Sequence, residues 1–260
     1  MVSLRGLPGA ASLRALACGL LDLIYPPRCL VCERYDAPSL CETCSAAFTP
    51  VPDPLCLTCG RPVEPEQTGP CRTCDSHRTS TGGDWAFDAA RSAGIFEGSL
   101  RLALHRLKYS GGESLGLPLG AYLANRVAGY ELFPSEQVGA IDSVLAVPMH
   151  PLREHSRGFN QAALLAAPVA EILGVPLLPP KAVQRTRRRP AQVGLSQKAR
   201  RRNLKDAFVV PHGEVGRVNG RSILIIDDVF TTGATVDACA FALRDAGAAR
   251  ILVATLAGGG

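Results

Sequence analysis

Residues 223–235 read ILIIDDVFTTGAT. The four apolar residues at 223–226 predict a buried strand, and Asp227 and Asp228 follow it at the strand end where open α/β sheets bind ligands. The loop Thr231-Thr232-Gly233-Ala234-Thr235 then opens a helix. Its glycine lets the backbone curl, so that amide N–H groups and threonine hydroxyls can converge on a phosphate at the helix N-terminus. Carboxylates beside such a cradle fit a sugar phosphate, and an ordinary acidic strand end with a helix cap is the alternative.

Strand and helix signals alternate on both sides of this motif. Apolar or extended runs predict strands at 86–96, 144–147, 175–178, 207–210 and 251–256. Apolar residues at helical spacing predict helices at 100–107, 115–127, 161–173 and 234–246. Strands that alternate with helices of about ten residues or more indicate a parallel sheet. We therefore predict an α/β domain with a parallel sheet across residues 85–260.

The composition excludes two classes of protein. Of 260 residues, 47% are hydrophobic and 20% are charged, which is too apolar for a disordered chain. No apolar run reaches the roughly 18 residues that a membrane-spanning helix needs. The apolar run at 16–25, after Arg5 and Arg14, resembles a signal peptide, but Asp22 interrupts it and no small-residue cleavage site follows. We predict instead a short amphipathic helix within residues 1–25.

Eight of the ten cysteines form four pairs with two residues between the partners. The pairs are Cys29/Cys32, Cys41/Cys44, Cys56/Cys59 and Cys71/Cys74. This spacing lets two thiolates face one tetrahedral ion, so residues 26–80 are predicted to bind zinc, which would also supply the free energy that folds this segment. We favour two sequential four-cysteine ribbons, although a cross-braced pairing also fits the spacing. Zinc-binding thiolates predict a reducing compartment and hence a cytoplasmic protein.

Positive charge is concentrated in residues 181–205. This basic stretch holds ten of the 28 Lys and Arg residues and no Asp or Glu, and the rest of the chain has 18 basic and 23 acidic side chains. Such a cluster indicates a localised anion site. The basic stretch could cover a phosphate ligand, follow a nucleic-acid backbone or form a solvated surface loop. It contains no aromatic residue, which argues against stacking on single-stranded bases.

The motif at 223–235 resembles the phosphoribosyl-pyrophosphate (PRPP) signature of type I phosphoribosyltransferases, and nearly all of residues 20–257 resemble the ComF family. Further segments support the resemblance, namely Lys108-Tyr109, the block at 147–161 that contains VPMH and RGFNQ, and the basic loop that begins near Arg185. The resemblance implies a type I phosphoribosyltransferase-like parallel sheet preceded by a double zinc ribbon.

The resemblance also implies a role for each segment. Asp227 and Asp228 would hold the ribose of PRPP, and residues 231–235 its 5′-phosphate. The pyrophosphate loop would comprise Pro148, Met149, His150, Arg153, Arg157, Asn160 and Gln161. Pro148 has no N–H to offer, His150 is expected to be structural, and Asn160 and Gln161 are either helix caps or ligand contacts. A mobile basic loop would contribute Arg185, Arg187, Gln192, Arg200 and Asn203. Magnesium would accompany PRPP and be held mainly by the oxygens of that ligand.

On this basis we predict that the chain transfers a phosphoribosyl group from PRPP to an acceptor that the sequence does not identify, with a link to DNA uptake during natural transformation. Glutamine-dependent chemistry is not expected, because those enzymes use an N-terminal cysteine nucleophile and this chain begins Met1-Val2-Ser3. The alternative is a non-catalytic adaptor that senses PRPP or binds single-stranded DNA. Its partner would then be DNA or a helicase-like DNA-uptake protein.

Overall fold

The fold is described by a computed structural model of residues 26–67, 69–109, 111–186 and 206–259. The helix predicted within residues 1–25 lies outside these described residues. So do four members of the predicted basic loop, namely Arg187, Gln192, Arg200 and Asn203. None of the described helices is long and apolar enough to cross a membrane.

A four-stranded parallel sheet forms the centre of the fold. It consists of β1 (Ala89–Ile95), β2 (Ser143–Ala146), β5 (Ser222–Phe230) and β6 (Arg250–Gly258), in the spatial order β1-β6-β5-β2. The two central strands are almost continuously apolar, as strands buried on both faces of a sheet must be. A separate antiparallel pair, β3 (Gln184–Arg185) with β4 (Phe208–Val209), flanks residues 187–205. The predicted parallel α/β sheet is confirmed.

Eight α-helices lie in the described part of the chain. They are α1 (Glu42–Ala46), α2 (Arg72–Thr81), α3 (Gly98–Tyr109), α4 (Gly116–Ala128), α5 (Ser135–Val138), α6 (Pro151–Arg157), α7 (Gln161–Leu173) and α8 (Ala234–Asp245). Two 3-10 turns occupy Gly112–Leu115 and His212–Arg217. The four helices that the apolar spacing predicts are found as α3, α4, α7 and α8.

The two faces of the sheet carry separate hydrophobic clusters. Side chains alternate along β5, so that Leu224 and Ile226 belong to one cluster and Ile223 and Ile225 to the other. Helices α3, α4 and α7 cover the first face, and α8 covers the second. All four of these β5 side chains are fully buried, which explains the apolar run at 223–226 before the acids.

The cysteine-rich segment folds as two ribbons beside β1. The first ribbon, residues 26–49, packs on the face that α3 and α4 cover, and the second ribbon, residues 54–81, packs on the face that α8 covers. Both segments bond to the β1 backbone: Thr49 O accepts from Ile95 N–H at 2.8 Å, and Thr58 O accepts from Ala90 N–H at 2.7 Å. The ribbons therefore cover a strand edge that would otherwise be open to pairing with another chain.

The observed strands differ in extent from the predicted ones. β5 runs to Phe230 instead of ending at residue 226, because β6 continues beside it to the end of the sheet. Asp227 and Asp228 therefore lie within the strand and not after it. The strand predicted at 175–178 makes a single parallel bridge, between Leu177 and Val144, and the one predicted at 207–210 shrinks to the two residues of β4.

Candidate functional site

The eight cysteines of the C-x-x-C pairs form two compact clusters. Within each cluster the four Sγ atoms lie within 4.8 Å of one another, and the clusters are Cys29/Cys32/Cys41/Cys44 and Cys56/Cys59/Cys71/Cys74. Individual Sγ–Sγ distances are 3.8 and 3.7 Å in the first cluster and 3.8 and 3.3 Å in the second. Four sulfurs bound to zinc at about 2.3 Å stand roughly 3.8 Å apart, so both clusters fit a tetrahedral zinc ion. The sequential grouping is confirmed, and the cross-braced grouping is wrong.

N–H groups point at several of these sulfur atoms. The backbone N–H groups of Val31 and Cys41 donate to Cys29 Sγ at 3.4 Å. In the second cluster, Trp85 Nε1–H donates to Cys74 Sγ, also at 3.4 Å. Such donors stabilise the thiolate, which is the form of cysteine that binds zinc. Zinc would hold the four cysteines of each ribbon together and so stabilise a segment with little apolar core of its own.

Each carboxylate of the acid pair, Asp227 and Asp228, has a polar partner. Lys108 Nζ lies 2.7 Å from Asp228 Oδ2, and Asp228 N–H donates to Asp227 Oδ1 at 2.9 Å. Removal from water and the neighbouring Asp228 carboxylate raise the pKa of Asp227 to about 7, against the lowering effects of that hydrogen bond and of Lys108. One carboxylate is therefore paired with a cation, and the other can exchange a proton near neutral pH.

The phosphate loop, residues 231–235, joins β5 to α8 through a glycine in a left-handed conformation. Gly233 has a φ of +76°, and a Cβ there would lie 2.7 Å from Phe230 Cζ and 2.9 Å from the Trp85 ring. The loop leads into the N-terminus of α8, where unpaired N–H groups attract anions. Thr232 Oγ1 accepts from Ala234 N–H at 3.4 Å. The predicted glycine turn that opens a helix is therefore present, and phosphate binding by this loop stays a prediction.

The segment predicted as the pyrophosphate loop contains a short helix, α6, between two turns. His150 is the N-cap of α6, and its Nδ1 accepts from Leu152 N–H at 3.2 Å. Asn160 is the N-cap of α7: its Oδ1 accepts from Ala162 N–H and its Nδ2 donates to Val147 O, both at 3.0 Å. Both side chains therefore stabilise helix starts in this structure.

Gln161 differs from these two residues because part of its amide has no partner. The side chain is only 2% exposed, and Nε2 makes no hydrogen bond to any described residue. Leaving a buried donor unpaired costs about 1–3 kcal/mol, so most buried amides are paired. An N–H group of this kind, in a cavity wall, is suited to donate to a bound ligand.

One cavity of about 220 Å³ collects most of the residues that are predicted to bind PRPP. Its described lining includes four basic side chains, Lys108, Arg153, Arg157 and Arg185, and both members of the acid pair. The remaining lining residues are Tyr109, Val147, Pro148, Met149, Asn160, Gln161, Ala162 and Thr235. A cationic majority beside two adjacent carboxylates suits a ligand that carries several phosphate charges as well as hydroxyl groups.

Some predicted residues are not part of this lining. The cavity reaches the phosphate loop at Thr235, whereas His150, Thr231, Thr232, Gly233 and Ala234 are not among the residues that line it. The Arg157 guanidinium lies over the Tyr109 ring, 5.3 Å from its centroid. This arginine, which is predicted to bind pyrophosphate, is therefore held by a cation–π contact. Of the predicted basic loop, only Arg185 is both described and in the lining.

Four residues behind the phosphate loop were not recognised in the sequence. They are Arg61 and His77 in the second ribbon, Trp85 just after it, and Asp237 in the first turn of α8. These residues are far apart in the chain, and contacts of this kind leave no spacing pattern in a single sequence. The one available signal was that the chain contains a single tryptophan, eleven residues after the last cysteine of the ribbons.

Comparisons with known proteins match both halves of the chain. Residues 20–75 match the double zinc ribbon domain, and residues 160–260 match the phosphoribosyl transferase domain. DNA utilization protein YhgH of Escherichia coli O157:H7 is 33% identical over 225 residues, which are 82% of this chain and 88% of that protein. Competence protein ComFC of Bacillus subtilis (strain 168) is 24% identical over 211 residues, which are 81% of this chain and 80% of that protein.

Two further similarities cover less of the compared proteins. Competence protein F of Haemophilus influenzae is 35% identical over 123 residues, which are 47% of this chain and 53% of that protein. A solved glutamine PRPP amidotransferase from B. subtilis gives a TM-score of 0.41 at 19% identity, over 59% of this chain and 30% of that chain. The sequence relatives and the two matched domains decide the classification. The chain belongs to the ComF family, to which the competence proteins F and ComFC and DNA utilization protein YhgH also belong, and it joins a double zinc ribbon to a phosphoribosyltransferase domain.

Proposed function

We propose that the protein binds PRPP with magnesium and transfers the phosphoribosyl group to a nucleophilic acceptor. The observation that carries this proposal is the single cavity in which the acid pair, four basic side chains and the first turn of α8 meet. PRPP carries hydroxyl groups, a 5′-phosphate and a pyrophosphate on one ribose ring, so its recognition needs both acceptors and cations. The phosphoribosyl transferase match over residues 160–260 supports the same class of ligand.

Each part of the cavity would bind one part of PRPP. Asp227 and Asp228 would accept hydrogen bonds from the ribose hydroxyls, and the phosphate loop would donate N–H groups to the 5′-phosphate. Arg153 and Arg157 would bind the pyrophosphate, because a guanidinium offers paired donors to phosphate oxygens. The unpartnered Nε2 of Gln161 would add a neutral donor to the same ligand.

Transfer breaks the bond between C1 of the ribose and a pyrophosphate oxygen, and the electron pair leaves with the pyrophosphate. An electron pair of the acceptor forms the new bond at C1. Positive charge develops on the ribose during this exchange, where the acid pair would stabilise it, while the arginines would stabilise the departing pyrophosphate. Magnesium, held mainly by the oxygens of PRPP, would neutralise part of the negative charge on the pyrophosphate. The chain would thus act by positioning and by electrostatic stabilisation.

Calorimetric titration of the zinc-loaded protein with PRPP and Mg²⁺ tests the binding step. We expect micromolar binding that the double change Asp227→Asn/Asp228→Asn abolishes. The matched double change Glu171→Gln/Asp245→Asn removes the same formal charge from two exposed positions outside the cavity lining and should leave binding unchanged. Absence of binding by the intact protein would overturn the proposal.

Release of pyrophosphate, measured across a panel of nucleobases and simple amines, tests the transfer step. Release that depends on one acceptor would support a transferase and identify its substrate class. PRPP binding with no acceptor-dependent release would instead support the non-catalytic sensor. This distinction is needed because a fold and a ligand site do not by themselves determine a reaction.

Binding of single-stranded DNA is a second candidate function. Two relatives are named as DNA utilization and competence proteins, and the basic stretch at 181–205 carries ten positive side chains. Such binding should weaken steeply with salt, because each neutralised phosphate releases counterions. A labelled oligonucleotide titrated at two salt concentrations, with and without PRPP, tests it. This candidate includes a helicase-like partner and a cytoplasmic location, where the cysteines stay reduced.

A further inference from the structure

The second ribbon and Trp85, a few residues after it, make three contacts with the phosphate loop and the helical turn that follows the loop. The first contact is made by Trp85. This side chain is 9% exposed. Its Nε1–H donates to Cys74 Sγ at 3.4 Å, and its ring approaches so closely that a Cβ on Gly233 would lie 2.9 Å away. One aromatic ring therefore contacts both a cysteine of the second cluster and the central glycine of the phosphate loop.

The second contact runs through His77 in α2. Its ring stacks on Trp85, with centroids 3.5 Å apart and 13° between the planes. His77 Nε2 lies 3.5 Å from Asp237 Oδ2, and Asp237 is fully buried in the first turn of α8. The Asp237 N–H donates to Gly233 O at 2.9 Å. A side chain of the second ribbon is therefore close to the residue whose backbone N–H bonds to the central glycine of the phosphate loop.

The third contact is made by Arg61. Its Nη2 donates to the backbone oxygen of Thr231, the first residue of the phosphate loop. The backbone of Arg61 is itself tied to the metal knuckle, because Cys56 N–H donates to Arg61 O at 2.8 Å. The first residue and the central glycine of the loop are thus contacted by Arg61 and Trp85, and both of these residues are hydrogen-bonded to a cysteine of the second cluster.

The first ribbon has different neighbours. Arg106 Nη2, in α3, lies 2.8 Å from Glu33 Oε1, and Ser39 Oγ donates to Ser114 O at 2.9 Å. These contacts, like the cysteines of the first cluster, belong to the side of the sheet that α3 and α4 cover, whereas α8 lies on the other face. The two cysteine clusters are therefore not equivalent with respect to the phosphate loop.

We propose that the second ribbon is a positioning part of the sugar-phosphate site, so that zinc held by Cys56, Cys59, Cys71 and Cys74 sets the affinity for PRPP. Arg61, His77 and Trp85 are the positioning residues. The choice of PRPP rests on the proposed function, whereas the support of the phosphate loop rests on the contacts alone. A loop that is in its binding conformation only a tenth of the time weakens apparent affinity about tenfold.

Arg61→Met tests the support without changing a cysteine. Hydrogen–deuterium exchange across residues 231–237 should become faster, and the Kd for PRPP should rise about tenfold. Arg78→Met is the matched control, because Arg78 belongs to the same ribbon and its partner, at 2.7 Å, is the exposed Asp84. Arg61→Lys keeps a donor and should recover part of the loss. Unchanged exchange in Arg61→Met would overturn the positioning role.

Two cysteine changes in the full-length chain test the metal dependence. Cys56→Ser should lose one zinc ion, speed up exchange at 231–237 and weaken PRPP binding, whereas Cys32→Ser, in the first cluster, should lose one zinc ion with exchange of the loop unchanged. Equal effects of both changes on the loop would overturn the assignment to the second ribbon. If no form of the protein binds PRPP, the proposed function fails, and the exchange data still decide whether the second ribbon supports the loop.

Discussion

Replacing the central glycine of the phosphate loop by alanine should destabilise the protein for two reasons that the structure separates. Gly233 has a φ of +76°, where an L-residue is strained by about 1–2 kcal/mol. The new Cβ would also lie 2.7 Å from Phe230 Cζ and 2.9 Å from the Trp85 ring. Overpacking of this kind costs about 1–3 kcal/mol, so Gly233→Ala should lose roughly 2–5 kcal/mol of unfolding free energy.

Gly220→Ala is the matched control for this substitution. Gly220 has a nearly identical φ of +71°, but among the described residues no atom beyond the adjacent ones lies within 4 Å of the position that its Cβ would take. The control should therefore lose only the conformational part, about 1–2 kcal/mol. The entropy that alanine removes from the unfolded chain is the same at both positions and cancels. The difference between the two variants, about 1–3 kcal/mol, measures the contact between loop and aromatic ring.

Urea denaturation of the zinc-saturated variants measures both losses of unfolding free energy. The comparison requires that the unfolding free energy falls with urea concentration at the same slope in each variant. Calorimetry with PRPP should show a larger loss of affinity for Gly233→Ala than for Gly220→Ala, because only the first change displaces the phosphate loop. If the two variants differ by less than about 0.5 kcal/mol, the reasoning from close packing is refuted.

The acid pair and α8 provide three further tests. The raised pKa of Asp227 means that the folded state binds this proton more tightly than the unfolded state. The free energy of unfolding should therefore decrease as the pH rises from about 4 to about 7. Asp227→Asn should flatten that part of the plot of urea midpoint against pH. Lys108→Met removes a cation that lowers this pKa, so the fall should extend to higher pH, and calorimetry should show weaker PRPP binding. Asp237→Ala leaves Ala86 N–H without its 2.8 Å acceptor and should cost about 2–3 kcal/mol in urea denaturation at neutral pH.

Each of these expectations has a result that contradicts it. Identical pH profiles for the parent and Asp227→Asn would show that the carboxyl group is not perturbed. Full PRPP affinity in Lys108→Met would show that the ion pair with Asp228 does not organise the site. Asp237→Ala as stable as the exposed control Asp245→Ala would show that the bond from Ala86 N–H to the buried carboxylate contributes no stability.

The sequence predicts those parts of the site that lie close together in the chain. The motif at 223–235 identifies the strand, the acid pair and the loop because strand, turn and helix signals are all local. The cysteine pairs identify the ribbons for the same reason. The extent of β5 could not be predicted, since the strand continues past residue 226 only because β6 runs beside it.

Roles that depend on distant partners were out of reach of the sequence. Whether Asn160 caps a helix or faces a ligand depends on the positions of Val147 O and Ala162 N–H, which only the fold brings to its amide. The raised pKa of Asp227 requires knowledge of its burial. The contact of Gly233 with Trp85 joins two modules, and neither module contains a local signal for it.

The single tryptophan gives this protein an optical signal of its own. The Trp85 indole is hydrogen-bonded to Cys74 and lies against Gly233, and no second tryptophan contributes to the emission. Its fluorescence should therefore change when the second cluster gains or loses its ion, and again when a ligand orders the loop. Metal exchange and ligand capture could then be followed in one stopped-flow trace without a dye, and the order of the two events would be read directly from the time course.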